Sequence, residues 1–418
     1  MTVAVAVAAA KTSTGNQDIT TTDLGGETPK ACLFLYSRAS ANGTVTADAG
    51  ASFGMTDGVN QCAFAMWAQN GATSVGVATK IGTSAACIVA LKATSAIHSA
   101  AAFVAFIANG VTVNWTVAAA DGWLVTALFF SGSDWTVACG TSAISFAGVT
   151  TALGFTPDCV LLAGASDAIA GTVATSFGQV TIGATTFGGG LSNAVQHVHD
   201  AGIGTRNNVT TASGPAFGPT WGAYRFGATQ YGAIVTQVAN GFTLHSSSSE
   251  PTHKYGYLAL KYEGAGVLST GKFGLTEDAG HQSYTGFGGT PQQFLLLLTQ
   301  QQKLSQAFDW RFGNHAVTSS KSGGFAVGST SDGNSVGSGH PTVHHSTANE
   351  DTITLLGQDG VANIVATFVS YDADGITLNY TDPPVFEPAR GVVFATMEWS
   401  YLTIITTHAG TVQAWIED

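Results

Sequence analysis

A short motif recurs along this chain at a nearly fixed interval, and that recurrence limits the folds open to it. Asn109-Gly110-Val111-Thr112-Val113 returns as Asn240-Gly241-Phe242-Thr243-Leu244 and again as Asp374-Gly375-Ile376-Thr377-Leu378. The three glycines stand 131 and 134 residues apart. Asn-Gly and Asp-Gly readily supply the positive-φ turns that start or join β-strands, and the apolar/Thr/apolar alternation that follows has the period of a strand. One such match is within reach of chance. Three at one period point to a single domain written three times.

Other landmarks keep the same order. Thr28-Pro29, Thr156-Pro157 and Thr290-Pro291 each precede an apolar run, at 31–35, 159–162 and 294–298. Proline at the beginning of a strand removes no hydrogen bond from the ladder interior. A run of four or five apolar residues bounded by turn signals reads as a strand buried on both faces. Phe53-Gly54, Phe177-Gly178 and Phe312-Gly313 follow, and each copy closes on an apolar strand led by Gly122, Gly256 or Gly391. The middle of each copy diverges most, at 60–70, 188–224 and 319–349, and reads as loops between short strands.

These features predict an all-β chain of three tandem β-sandwich, jelly-roll-like domains. The boundaries are 1–134, 135–266 and 267–418, the last with a C-terminal strand extension at 401–418 that packs on the third copy, completes an edge or reaches a neighbouring subunit. The Ala-rich segment 85–108 is the one place where a helix competes. Ile88-Val89-Ala90-Leu91 and Phe103-Val104-Ala105-Phe106-Ile107 favour strands there.

Composition narrows the functional classes. Charged residues make up 10% of the chain, against about 25% in a typical soluble domain. Much of the surface is therefore expected to be covered by neighbours. The net charge is −12, divided as −2, −1 and −9 over the three copies, so the third reads as the most solvated or as facing a basic partner. No Lys/Arg cluster occurs, which argues against nucleic acid or an anionic membrane as partner. No apolar run approaches the ~20 residues that span a bilayer. The apolar start at 1–10 lacks the basic region of a secretory signal. Cys32, Cys62, Cys87, Cys139 and Cys159 form no CxxC pair, and an odd set of cysteines in apolar runs fits assembly in a reducing cytoplasm.

Candidate chemistry is sparse. His197 and His199 share one face of a strand, a workable metal-ligand spacing beside Asp200. His340, His344 and His345 form a looser group. Neither has a counterpart in the other copies, so polar surface is the favoured reading and no metal or cofactor is assigned. Asp372-Ala373-Asp374-Gly375 starts like a calcium loop but lacks the later oxygen ligands. Asp382, Glu387 and Glu398 are the carboxylates a glycosidase would draw on, although two adjoin prolines in turn chemistry. Trp67, Trp115, Trp135, Trp221 and Tyr224 could stack on sugars, or fill the core. No catalytic residue is assigned.

The unit Thr-Pro, apolar strand, Phe-Gly, Asn/Asp-Gly-x-Thr, Gly-Tyr-Leu-Ala-Leu resembles tandem β-domains of tailed-bacteriophage virion proteins. It is clearest in Phe155-Thr156-Pro157, Asn240-Gly241-Phe242-Thr243-Leu244 and Tyr257-Leu258-Ala259-Leu260. The resemblance implies a non-enzymatic structural protein of the head or tail, homo-oligomeric or bound to other virion proteins, assembled in the host cytoplasm. An adhesin that binds a host-surface glycan through its variable loops is the alternative. A carbohydrate-active enzyme on the same scaffold is the third.

Overall fold

A computed structural model gives the architecture. It describes the chain apart from residues 1, 70–77, 93–95, 119, 166–168, 175–177, 188–191, 201–207, 213–219, 225–229, 247–253, 265–266, 275–277, 286–289, 304–307, 319–321, 332–341, 350–352, 357–361, 383–398 and 409–418. Strands dominate. The first set is β1 (Thr2–Ala9), β2 (Gly15–Thr20), β3 (Pro29–Ser37), β4 (Thr46–Ala47), β5 (Ala49–Thr56), β6 (Gln61–Ala68), β7 (Ala78–Thr83), β8 (Ile88–Leu91), β9 (Ile97–Ile107), β10 (Gly110–Val117) and β11 (Leu124–Ser131). The second is β12 (Trp135–Ala143), β13 (Val149–Ala152), β14 (Cys159–Gly164), β15 (Gly178–Thr186), β16 (Ser192–Asp200), β17 (Asn208–Ala212), β18 (Thr220–Tyr224), β19 (Gln230–Val238), β20 (Gly241–Ser246) and β21 (Lys254–Tyr262). The third is β22 (Val267–Gly274), β23 (Gly280–Thr285), β24 (Pro291–Lys303), β25 (Phe308–Thr318), β26 (Ser322–Ser331), β27 (Thr342–Asn349), β28 (Ile353–Leu356), β29 (Ala362–Asp372), β30 (Gly375–Asp382) and β31 (Trp399–His408).

Each set makes two antiparallel sheets with the same strand order. A large sheet runs β1-β11-β3-β5-β6-β7, then β12-β21-β14-β15-β16-β17, then β22-β31-β24-β25-β26-β27, the last extended by the short β4 of the first set. A four-stranded sheet runs β2-β10-β9-β8, then β13-β20-β19-β18, then β23-β30-β29-β28. The Ala-rich segment forms β8 and the long β9, as its β-branched and aromatic residues predict. The middle stretches read as loops are different. Residues 61–68 are β6, and 188–224 and 319–349 hold β16 to β18 and β26 to β27. Their Gly, Ser and His content resembles loops, but position in a large sheet overrides it. In the third set β31 takes the place of β11 and β21. It lies inside the sheet, between β22 and β24, and not at an edge. Residues 391–397 and 412–416 fall outside the described residues.

The apolar runs are continuous because both of their faces are used. On β3, Cys32, Phe34 and Tyr36 meet Ile88, Val111 and Trp115 of the small sheet, filling a sandwich. The alternate residues Ala31, Leu33 and Leu35 point the other way, into a core shared by all three sets. β14 divides likewise: Val160 and Leu162 face Phe242 and Leu244, while Cys159, Leu161 and Ala163 enter the shared core with Leu295 and Ala316 of the third set. This period-2 division explains the low charge.

The large sheets close head to tail. β12 packs on β3, β5 and β6; β22 on β15 and β16; β1 on β25 and β26. At the other edge β7 lies beside β15, β17 beside β24 and β25, and β27 beside β3 and β5. Each contact is between different surfaces and the series returns to its start, so the contacts form a ring. Both edges of every large sheet are thereby covered, which removes the unpaired strand edges that invite aggregation.

The recurrent motif has two jobs in this frame. Asn109 and Asn240 take the left-handed conformation, φ 67 and 61. The glycine beside them is required by space. A Cβ on Gly110, Gly241 or Gly375 would stand under 3.0 Å from the carbonyl oxygen of Ile19, Thr151 or Tyr284, on the neighbouring strand of the small sheet. The turn also grips the Thr-Pro segment. Asn109 N donates to Glu27 O at 2.8 Å, Asn240 N to Thr156 Oγ1 at 3.1 Å, and Thr290 Oγ1 to Ala373 O at 3.4 Å. Phe-Gly has a spatial reason too: a Cβ on Gly54 would collide with the Cys87 carbonyl, where the small sheet crosses β5.

Candidate functional site

Antiparallel pairing sends alternate connections to opposite ends of each sheet pair. One end carries the two-residue turns 108–109, 239–240 and 373–374. The other carries the connections that follow β3 and precede β11 in the first set. The polar cluster with most chemical potential lies at this loop end of the first set. His98, near the start of β9, has a side chain only 6% exposed. Its Nε2 meets Asp121 Oδ2 at 3.0 Å, and Lys92 Nζ donates to the same oxygen at 3.3 Å. The imidazole stacks on Trp123 with ring centroids 3.7 Å apart. The Arg38 guanidinium lies over the Trp123 ring and pairs with Asp48.

The charges follow from the surroundings. Burial pulls the His98 pKa below its ordinary value, outweighing the hydrogen bond His98 makes to the Asp121 carboxylate, so the ring is neutral at pH 7. Burial works against the Asp121 carboxylate, but the hydrogen bonds from His98 and Lys92 hold it below the usual range. Burial pushes the Tyr36 hydroxyl up, and that hydroxyl is paired with Ser99 Oγ at 3.0 Å. Ser99 is thus engaged with Tyr36, and no described hydrogen bond joins a nucleophile to His98. The cluster ties the β8–β9 turn to the β10–β11 connection. The described contacts of His98 are those of a clamp between these two connections.

The clamp has a pH signature. The folded pKa of His98 lies below its unfolded value, so the unfolded chain takes up the proton first. The stabilisation is present above about pH 6.5 and is lost as pH falls below it. Amide hydrogen exchange at residues 97–100 and 121–124, corrected for intrinsic rates, should accelerate between pH 7.5 and 5.5. His98→Phe keeps a ring on Trp123 and should flatten that dependence. An unchanged pH dependence in the variant would show that another group is responsible.

The candidates read from sequence are scattered. Trp67, Trp115 and Trp135 are 3%, 0% and 1% exposed, so they fill cores and offer no face to a sugar. Trp115 Nε1 is anchored by Gln17 Oε1 at 2.7 Å. Trp221 and Tyr224 lie on β18. His197 and His199 lie on β16, opposite Thr210 and Asn208 of β17. His344 and His345 take successive positions on β27, and His340 is outside the described residues. Asp372 accepts hydrogen bonds from Ser370 at 2.9 Å and Thr377 at 2.7 Å, a turn network in place of a calcium loop. Asp382 ends β30, while Glu387 and Glu398 fall outside the described residues. Among the described residues no His/Cys/Asp/Glu group is arranged to hold a metal, and no helix is long and apolar enough to cross a membrane. All five cysteines are buried free thiols. Burial pushes the thiols of Cys32, Cys87, Cys139 and Cys159 up, which keeps them unreactive.

Sequence reasoning missed the His98 cluster. Its members come from three separate connections and from β9, with His98 and Asp121 23 residues apart, and no local spacing marks them. Comparison with known proteins adds no identity. No family model and no curated protein matches the chain. Among solved structures, a fructofuranosidase variant from Schwanniomyces occidentalis in complex with fructosylnystose aligns over 85% of this chain and 77% of its own, at 8% identity and a TM-score of 0.13. A likeness that low carries no argument about fold or activity.

Proposed function

We propose that this chain is a non-enzymatic structural protein of a bacteriophage particle, decorating or reinforcing the head or tail. The observation that supports it most is the use of both faces and both edges of the large sheets for packing. Among the described residues, the carboxylates Asp57, Asp121 and Asp372 are engaged in turns and clamps. Such a body is a rigid block suited to assembly. The repeat resembles virion β-domains, and the low charge agrees with a surface partly covered by other virion proteins. In this reading residues 1–134, 135–266 and 267–418 are the three domains.

The loop end favours a second reading. Loops on a rigid scaffold are where recognition commonly resides, as in an adhesin for a host-surface glycan that uses the variable loops. Quantitative peptide mass spectrometry of gradient-purified particles of the encoding phage tests the first reading. The chain should appear at a fixed copy number relative to the major head or tail protein. Its absence from the particle overturns the proposal. Saturable binding to a glycan array, lost on trimming 383–398, would support the second reading.

A further inference from the structure

A ring of three sets has three seams, and the chain itself crosses two of them. β11 ends at Ser131 and β12 starts at Trp135; β21 ends at Tyr262 and β22 starts at Val267. The seam between the third and first sets has no covalent link. Besides the packing of β1 on β25 and β26, it is spanned by a strap from the first set. After β3 the chain leaves its own sheet, and Thr46 and Ala47 of β4 pair with Ser346 and His345 of β27. It then returns at once, since Ala49 opens β5 opposite Ala68 of β6. β4 thus covers an edge of β27 that would otherwise be open to strand pairing. At the first–second seam Lys80 of β7 and Ala174 exchange backbone hydrogen bonds of 3.0 and 2.9 Å, but there the chain already makes the closure.

The change of sheet is made at Asp48. Its φ is 74, in the left-handed region that side-chain-bearing residues seldom occupy. A residue in such a conformation persists when its surroundings hold it there. Arg38 supplies the hold. Its guanidinium pairs with the Asp48 carboxylate, and the two side chains are 15% and 19% exposed. A pair so far withdrawn from water is weakened little by salt. The Arg38 carbonyl also accepts from Thr46 Oγ1 at 3.1 Å, so one residue grips both β4 and the turn out of it. Gly50 makes room for this, because a Cβ there would stand 2.8 Å from Arg38 Cγ. Arg38 is itself fixed in the first set. Its guanidinium lies 5.2 Å from the centre of the Trp123 ring, and the adjoining Ala39 O accepts from Leu124 N at 2.7 Å.

We propose that residues 38–48 are a strap that latches the ring shut at the seam between the third and first sets, with the Arg38–Asp48 pair as its catch. Releasing the catch frees β4 from β27 and lets these two sets part without unfolding either sandwich. The first sandwich keeps its own core of Phe34, Tyr36, Val111 and Trp115, none of which belongs to the strap. Arg38 is a positioning residue in this device, acting through the conformation of Asp48. An opened latch leaves β27 with a free edge, able to accept a strand from another chain.

Hydrogen exchange mass spectrometry of the full chain over a denaturant series tests this. In the unaltered protein, peptides covering 46–47 and 342–349 should open together, at lower denaturant than those covering 111–115 and 258–260. Arg38→Met keeps a stem over Gly50 and removes the charge. It should speed exchange at 46–47 and 342–349 by roughly tenfold or more and leave 111–115 and 258–260 unchanged. Asp48→Gly added to it should undo most of that gain, because glycine takes a positive φ without a catch. Equal acceleration along the whole chain, or none at 342–349, overturns the latch. A gain that Asp48→Gly does not reverse overturns the role of Arg38 in holding Asp48. If Arg38→Met does not fold, the unaltered protein still decides: exchange at 342–349 only together with 111–115 and 258–260 means that the seam has no latch of its own.

Discussion

Alanine in place of Gly110 should destabilise the protein by about 3 kcal/mol or more, read as a drop in the denaturation midpoint. The added methyl would stand under 3.0 Å from the Ile19 carbonyl oxygen, and also from the Thr20 Cα. Backbone held in a ladder cannot step aside as a flexible side-chain end can. The same substitution at Gly241 and Gly375 meets the Thr151 and Tyr284 carbonyls in the same relation, so all three should have similar effects. Two comparisons isolate the cause. Asn109→Ala puts alanine in the left-handed region and removes the 2.6 Å hydrogen bond from Gly26 N to Oδ1, for about 1–2 kcal/mol. Gly154→Ala, at φ +80 with nothing within 4 Å, isolates left-handed strain at a similar size. If Gly110→Ala proves as mild as either, crowding by the neighbouring strand is not the reason for the glycine.

Trp135→Ala should have the second large effect, about 3–5 kcal/mol, and should also change the shape of unfolding. Trp135 opens the second set at its joint with the first and is 1% exposed. Its ring meets Phe130 of the first set edge-on at 5.4 Å and Tyr262 of the second at 5.2 Å. A few residues on, Cys139 N donates to Asp57 Oδ2 at 2.7 Å, and the same Asp57 side chain closes the β5–β6 turn through Val59 N and Asn60 N. Removing the indole therefore opens a cavity in the shared core and loosens the seam. Calorimetry should resolve one cooperative transition into more than one. Trp115→Ala is the matched control. That residue is as deeply buried, but within the first sandwich beside Tyr36. It should lower stability without separating transitions. A single transition in Trp135→Ala, merely shifted, would mean that the seam does not couple the sheet pairs.

Much of the fold is legible in the residues because it is local. The turn motif marks β10, β20 and β30; the apolar runs after Thr-Pro mark β3, β14 and β24. Reading those runs as buried on both faces is right for β3 and β14, since eight of nine residues in β3 and all six in β14 are buried. The mid-copy strands were not legible. β6 at 61–68 and β27 at 342–349 gain their pairing from a large sheet that sequence composition does not reveal. The His98 clamp was not legible either, since nothing local links residues 38, 92, 98, 121 and 123.

The recurring motif marks the boundary between the two kinds of information. Its period, its turn and its strand follow from the sequence alone, because φ preference and side-chain alternation are properties of a few neighbouring residues. Which atom needs the glycine, what the second face of each apolar run packs against, and how three sheet pairs close into a ring were decided by the tertiary structure. Those facts depend on backbone carbonyls and sheet faces brought together from residues tens to hundreds of positions apart, and no local pattern encodes which of them will meet.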